Sequence, residues 1–131
     1  MVEYEKLTTG YEFPPSSFTL DDKMVAAYLD AVEDASKVYE GGGLVPPMAI
    51  AALAMAAMAQ GIVLPPGTIH VSQELEFVRT VTVGETLTSY ARVNRNQQRG
   101  KFHMLMVGIN VLNQAKEIVV SGETSFILPL S

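Results

Sequence analysis

The side chains that could act as nucleophiles or metal ligands are few, and their spacing restricts the chemistry open to them. The chain has no cysteine, which excludes disulfides, cysteine–zinc sites and a thiol nucleophile. Its two histidines, His70 and His103, are far apart and form no His-x-x-x-His pattern. We therefore expect no metal site and no cofactor. The pattern around His70 predicts a partly exposed strand residue on the outer or interface side of a sheet.

Motifs of several common enzyme classes are missing from the sequence. The glycines of Gly41–Gly43 are not followed by a phosphate-loop or dinucleotide-binding pattern, so they do not indicate a nucleotide fold. No G-x-S-x-G nucleophile elbow is present either. The glycines are instead predicted to give a flexible approach to the apolar segment that follows.

The composition is that of one folded domain with a substantial core. The chain has 131 residues, of which 48% are hydrophobic and 18% charged. Its formal net charge of −5 and its scattered Lys and Arg residues argue against a nucleic-acid partner. No basic region followed by an apolar stretch opens the chain, so no signal peptide is evident and we expect a cytoplasmic protein.

Residues 41–73 carry no Asp, Glu, Lys or Arg, which raises the question of a membrane span. Two proline pairs, Pro46–Pro47 and Pro65–Pro66, cut this run, and the uninterrupted part is shorter than the roughly 20 residues that a span needs. Basic flanking loops are also missing. The pattern instead favours a helix buried on nearly all sides, opened by Pro46 or Pro47 and ended by Gly61 as a C′ residue.

A shorter amphipathic helix is predicted before it. Phe18 and Leu20 give a short strand-like start, and Asp21 or Asp22 then supplies an N-cap. Apolar residues follow at helical spacing to about Asp34.

From Ile69 onward the hydrophobic period changes to two, which predicts strands. The first strand should direct one set of apolar side chains inward, namely Ile69, Val71, Leu75 and Phe77. "TLTSYARV" reads as a second strand, "NRNQQRG" as a polar hairpin loop, "KFHMLMVGINVL" as a central strand, "NQAK" as a turn and "EIVVSGETSFILPL" as the last strand. Helices followed by antiparallel strands indicate an α+β fold, with a curved sheet wrapped around a long buried helix.

Residues 70–93, "HVSQELEFVRTVTVGETLTSYARV", resemble the strand–turn–strand pattern of the MaoC-like dehydratase/hydratase family, which has the hotdog fold. "FTLDDKMVAAYLDAVED" is similar to that family's opening strand and first helix. The resemblance spans Phe18 to Leu128. It implies a single hotdog domain over residues 1–131, with 1–16 as an N-terminal extension.

The resemblance also implies a function. Members of the family hydrate or dehydrate acyl thioesters carried on CoA or acyl-carrier protein, using the Asp and His of a D-x-N-P-x-H signature. The start of the buried helix faces the thioester, where free N–H groups stabilise the enolate oxygen. The implied substrate-binding residues here are Gly43, Pro47, Met48, Ala49 and Arg79. Because proline has no N–H, the oxyanion donor should be Met48 or Ala49.

The chain departs from the family signature at its catalytic positions. Asp34 matches the Asp, but Tyr39 stands where the His is needed. A phenol, with an ordinary pKa near 10, is a poor base near neutral pH. Asp34 and Tyr39 are therefore predicted to form an altered or vestigial catalytic site. The alternative is a solvated Asp at a helix end and a packing Tyr.

The resemblance thus implies a non-catalytic or weakly catalytic subunit of an enoyl-thioester hydratase/3-hydroxyacyl dehydratase. We expect a homodimer or a heterodimer with another hotdog subunit, and neither a nucleic-acid nor a membrane partner. A hotdog acyl-CoA thioesterase is the alternative, weakened because the buried helix has no carboxylate and Glu40 is the only one nearby. Arg79 could bind a CoA phosphate, or it could be an exposed charge at a strand end.

Overall fold

The computed structural model of the chain describes residues 2–3, 7–31 and 43–129. Its elements in chain order are β1 (Val2–Glu3), β2 (Ser16–Thr19), α1 (Asp22–Ala31), α2 (Pro47–Gln60), β3 (Ile62–Val63), β4 (Ile69–Phe77), β5 (Thr86–Arg99), β6 (Phe102–Leu112) and β7 (Ile118–Pro129). Five strands form an antiparallel sheet in the order β2-β5-β6-β7-β4, and β1 pairs with β3 in parallel. The predicted α+β class is confirmed.

The first helix begins where the sequence predicts it. The Oδ1 atom of Asp21 accepts a hydrogen bond of 2.8 Å from the N–H of Met24, which makes Asp21 the N-cap of α1. Val25 turns inward and is 6% exposed. The predicted continuation of this helix to Asp34 lies outside the described residues.

The long apolar helix α2 packs against the sheet on one side. Ala49, Ile50, Ala54 and Met58 are at most 3% exposed and belong to the same hydrophobic cluster as the sheet residues. The small Ala side chains let the helix approach the strands closely. The other side of α2 is more open: Met48 is 53% exposed, and alanines 52, 56 and 59 are exposed as well. The prediction of a helix covered on nearly all sides is therefore right only for its sheet-facing half within a single chain.

The face of the sheet toward α2, called the inner face below, carries the core. Its residues alternate with those of the outer face along each strand, as expected for a sheet with one buried side. On the three middle strands, the most deeply buried apolar residues of this face are Leu87, Val93, Leu105, Val107, Ile109, Val111, Val120 and Leu128.

The predicted hairpin loop "NRNQQRG" is strand for most of its length. β5 continues to Arg99, and the register with β6 runs from Thr88–Leu112 to Arg99–Phe102. Only Gly100 and Lys101 remain in the turn, where Gly100 adopts a φ of 59° that favours glycine. The polar residues led to a wrong prediction because the end of a long hairpin is exposed. Its strands pair there through backbone hydrogen bonds, and Nδ1 of His103 lies 3.2 Å from Oδ1 of Asn96 across them.

Gly61 ends α2 as predicted, but for a different reason. Its φ is −90°, so it is not a left-handed C′ residue. A Cβ atom there would lie 3.1 Å from Cδ1 of Phe13. A side chain at residue 61 would therefore crowd the Phe13 ring, which packs against the helix end.

Part of the predicted N-terminal extension is built into the domain. Leu7 is fully buried and Phe13 is 6% exposed, and both belong to the core cluster. The N–H of Phe13 donates to the carbonyl of Ala91 at 2.9 Å, so this segment continues the sheet alongside β5 ahead of β2.

Candidate functional site

The start of α2 is one wall of the candidate site. Pro46 is the N-cap without a side-chain hydrogen bond, and Pro47 occupies the first turn. The N–H of Ala49 donates to the carbonyl of Pro46 at 3.0 Å, so it is already occupied. The N–H of Met48 has no backbone acceptor among the described residues. Of the two predicted donors, only Met48 therefore has an N–H without a backbone acceptor in the described part of the chain, at the positive end of the helix.

A short backbone pairing fixes this helix start in place. The N–H of Val45 donates to the carbonyl of Val81 at 2.8 Å, and the N–H of Val83 donates to the carbonyl of Gly43 at 2.5 Å. Gly43 has a φ of 69°, and no atom lies within 4 Å of where its Cβ would be. It is thus needed for its backbone conformation, not to make room for a neighbour.

Beside this helix start is a cavity of about 310 Å³. We call it the α2 cavity. Its lining is mainly apolar and joins the helix start, the end of β4 and the segment before β5: Leu44, Val45, Pro47, Ile50, Phe77, Val78, Arg79, Thr80 and Val81. Val45, Ile50 and Val81 are at most 3% exposed and form its floor, while Val78 is 51% exposed at its rim. Such a site suits a hydrocarbon chain with one polar end.

Among the described residues that line this cavity, Arg79 is the charged one. Its guanidinium Nη2 lies 3.2 Å from Oε2 of Glu117, and the two side chains are 50% and 44% exposed. An ion pair this exposed contributes about 0–1 kcal/mol to stability. An incoming anion could therefore displace Glu117 from Arg79 at a small cost in free energy.

The structure places two of the five predicted substrate-binding residues in the lining of one cavity. Pro47 and Arg79 both line the α2 cavity, and Gly43 adjoins it through Leu44. Met48 belongs to the same helix turn as Pro47 but is not part of the lining, and Ala49 is 3% exposed and belongs to the core. The predicted catalytic residues Asp34 and Tyr39, and the nearby Glu40, lie outside the described residues.

His70 is the residue whose position the sequence pattern misjudged. It was predicted on the outer or interface side, but it pairs with Phe126 on the inner face and stacks on that ring at a centroid distance of 5.0 Å. Its Nε2 lies 2.6 Å from Oγ1 of Thr124, a fully buried residue. His70 itself remains exposed at the sheet edge.

A β-bulge explains this error. The register between β4 and β7 shifts between His70 and Ser72, so Val71 is an extra residue. Alternation therefore reverses at this point: Leu75 and Phe77 face inward as predicted, whereas Ile69 lies on the outer face and is 61% exposed. The sequence gives no signal for the bulge beyond the polar run that follows it.

A larger cavity, of about 670 Å³, lies elsewhere, between residues 11–15 and the outer face of β5 and β6. Its polar lining includes Glu12, Arg92 and Asn110. Its described lining contains no helix start and none of Gly43, Pro47, Met48, Ala49 and Arg79. The smaller α2 cavity is therefore the better candidate, because it combines a mainly apolar lining with the start of a helix.

Two other kinds of site were also considered. Within residues 2–3, 7–31 and 43–129, no three His, Asp or Glu side chains are placed to hold a metal ion. In the same part of the chain, no helix has the length and hydropathy to span a membrane.

Comparison with known proteins identifies the family of this chain. The sequence model of the FAS1-like, dehydratase domain region family matches residues 7–121. The chain belongs to this family, and its predicted place among the MaoC-like hotdog proteins is confirmed. A comparison with curated protein sequences finds no significant match.

Solved structures share the fold over nearly the whole chain. The R-hydratase PhaJ1 from Pseudomonas aeruginosa is 23% identical, with a TM-score of 0.82 over 98% of this chain and 86% of that one. The (R)-hydratase from A. caviae is 22% identical, with a TM-score of 0.80 over 95% and 99%. The HadBC (3R-hydroxyacyl-ACP dehydratase) complex from Mycobacterium tuberculosis is 16% identical, with a TM-score of 0.72 over 91% and 96%. At these identities the likeness establishes the hotdog fold.

Proposed function

We propose that the chain binds an acyl thioester of CoA or acyl-carrier protein in the α2 cavity. The observation that carries this proposal is the N–H of Met48, which has no backbone acceptor among the described residues and lies at the start of a helix that borders an apolar cavity. The acyl chain would lie against the cavity walls, and the thioester oxygen would accept a hydrogen bond from Met48. The helix end would stabilise negative charge on that oxygen, as an enolate intermediate of hydration or dehydration requires.

We further propose that the chain is a non-catalytic or weakly catalytic subunit of a hydratase/dehydratase assembly. Support comes from Tyr39, which stands where the family signature needs His. Asp34 alone would polarise a water molecule only weakly. Two of the similar structures are R-hydratases, and a third is a complex of dehydratase subunits. A homodimer or a heterodimer with a second hotdog subunit fits this role.

Direct binding tests the first part. We expect 2-butenoyl-CoA to bind the purified chain in isothermal titration calorimetry. The substitution Leu44→Trp, at the partly buried wall of the cavity, should fill the site and abolish binding. Leu112→Trp places the same bulk at another partly buried leucine, at the end of β6 and outside the cavity, and should leave binding intact. Equal binding by both variants would show that the acyl group lies elsewhere.

Activity measurements test the second part. The chain alone should hydrate 2-butenoyl-CoA slowly or not at all, and should become active when combined with a hotdog chain that carries an intact D-x-N-P-x-H signature. Strong activity of the chain alone that Asp34→Ala abolishes would instead make it a full hydratase. Release of the free CoA thiol, followed in the same samples, would indicate the thioesterase alternative.

A further inference from the structure

The outer face of the sheet carries charged residues in an ordered row. Across four neighbouring strands, the residues paired with one another are Glu74 of β4, Glu123 of β7, Gly108 of β6 and Arg92 of β5. Directly paired residues share one face of a sheet, so these four lie on the outer face at a single level. The row therefore has a cation at one end and two carboxylates at the other.

These charges are not neutralised within the described part of the chain. Like charges directly opposite each other destabilise a strand pair, yet Glu74 and Glu123 stand so, with Glu76 two residues along β4 on the same face. Among the described residues, none of these carboxylates forms an ion pair, and neither does Arg92. The hydrogen bond that Glu123 accepts, 2.9 Å from Nδ2 of Asn94, brings no positive charge. A partner surface with the opposite charges would relieve this repulsion.

The outer face also has an apolar region next to the charged row. It consists of Met104 and Met106 of β6, Ile127 of β7 and Ile69 of β4. The first three are partly exposed, and Ile69 is 61% exposed. When one face of an antiparallel sheet meets solvent, its outward positions are normally polar. The apolar region therefore indicates a face that another surface covers.

A second copy of this chain has the surface that complements both features. A two-fold axis parallel to the strands, placed between β6 and β7, turns two outer faces toward each other and keeps each level of one sheet over the same level of the other. β5 of one copy then lies over β4 of the second copy, and β6 lies over β7. Sheets that pack face to face in this way commonly keep their strands within about 30° of each other.

This arrangement brings opposite charges together and apolar residues together. Arg92 lies over Glu74 of the second copy, because the two residues occupy the same level on β5 and β4. The symmetry repeats this contact, so each interface has two such pairs. In the apolar region, Met104 lies over Ile127 of the second copy, since these two residues pair across β6 and β7.

The larger cavity, of about 670 Å³, gives the carboxylates of the second copy a place to enter. Its lining includes Tyr90, Arg92 and Asn110, on two adjacent levels of β5 and β6. The same two levels of β4 carry Glu76 and Glu74. In the two-copy arrangement these carboxylates reach the cavity, where the guanidinium of Arg92 and the side-chain amide of Asn110 are hydrogen-bond donors.

We propose that two copies of this chain associate through the outer faces of their sheets, with Arg92 of each copy bound to Glu74 of the other. Four strands about 4.8 Å apart, overlapping over about 31 Å, give a face of roughly 600 Å² before side chains are counted. Each partner in a stable interface buries an area of the same order, about 800 Å². The contact lies on the side of the sheet away from the α2 cavity, so it does not depend on the proposed thioester binding.

Charge reversal followed by sedimentation equilibrium tests this contact. Arg92→Glu and Glu74→Arg should each weaken the association of copies at least about 10-fold, because symmetry repeats each change at two places. The two variants mixed in equal amounts should regain the wild-type assembly, since a mixed pair of copies has opposite charges at both contacts. Lys23→Glu makes the same reversal on α1, which packs on the core side of the sheet through Val25, and should assemble like the wild type.

The inference is overturned if Arg92→Glu assembles like the wild type, which would place any contact between copies elsewhere. It is also overturned if the mixture stays as small as its separate components. Urea unfolding of each variant separates lost assembly from lost folding. Arg92→Glu should still bind 2-butenoyl-CoA with wild-type affinity, so loss of the outer-face contact and loss of thioester binding are read from different measurements.

Discussion

Gly122 of β7 lies so close to the carbonyl oxygen of Glu74 that a Cβ atom on Gly122 would collide with it. That Cβ would also approach Cδ2 of Leu75 to 2.7 Å and its Cα to 3.1 Å. Two of these three neighbours belong to the backbone of β4, which cannot move aside as a flexible side chain can. The absence of a side chain at Gly122 is therefore what lets β4 pair closely with β7.

Gly122→Ala should consequently destabilise the protein by about 2–3 kcal/mol, within the range of severe overpacking. Gly108→Ala is the matched control, because a Cβ there would meet only the side chain of Asn94, with Nδ2 2.7 Å away. Asn94 is exposed and can rotate, at the loss of its 2.9 Å hydrogen bond to Glu123. We expect a loss of about 1 kcal/mol for the control. Urea unfolding followed by circular dichroism measures both, and a smaller loss for Gly122→Ala would contradict the steric argument.

The N-cap of α1 gives a second prediction. Asp21 accepts a hydrogen bond from the Met24 N–H, whereas Asp22, in the first turn, makes no such hydrogen bond among the described residues. Asp21→Ala should lower the free energy of unfolding by about 1 kcal/mol. Asp22→Ala removes the same charge from the same helix end and should lower it by about 0.3 kcal/mol through the helix dipole alone. Equal losses in urea unfolding would mean that charge, not the cap, stabilises this helix start.

These elements also show how far the sequence could predict the structure. Asp21 as N-cap and Pro47 at the start of α2 were predictable because caps and first-turn prolines act within a few residues. The side on which His70 lies was not, because it depends on a bulge set by the pairing of β4 with β7. The extent of β5 was missed for a related reason: strand pairing, not hydrophobicity, holds its polar end.

The candidate site also has features that the sequence predicted and features that only the structure shows. Pro47, Met48 and Arg79 were identified from the resemblance to a family and from their types. That Ala49 donates its N–H to Pro46, and that Arg79 pairs with Glu117, follows only from coordinates. The first contact depends on the geometry of the helix start and the second joins residues distant in the sequence. Composition and periodicity therefore cannot predict them.

The contact between Phe13 and the end of α2 supplies a third prediction. Gly61→Ala introduces no backbone strain at a φ of −90°, so its effect comes from the Cβ that would lie 3.1 Å from the Phe13 ring. We expect a loss of about 1–2 kcal/mol. In the background of Phe13→Leu, where the ring is gone, the same substitution should have little effect or should stabilise the helix end. A double-mutant cycle in urea measures this coupling, and additive losses would show that the ring does not cause the effect.

The final prediction concerns whether Arg79 recognises the nucleotide part of CoA. Arg79→Ala should change stability by at most about 0.5 kcal/mol, because its pair with Glu117 is half exposed. If the guanidinium binds a CoA phosphate, the variant should bind 2-butenoyl-CoA about 3- to 10-fold more weakly and with less dependence on salt. The affinity of Arg79→Ala for the 2-butenoyl thioester of pantetheine, which has no phosphate, should equal that of the wild type. Glu117→Gln removes the same ion pair but keeps the cation, so it should bind the CoA ester at least as tightly as the wild type. If Arg79→Ala lost the same affinity for both thioesters, Arg79 would act as part of the cavity wall and would not bind a CoA phosphate.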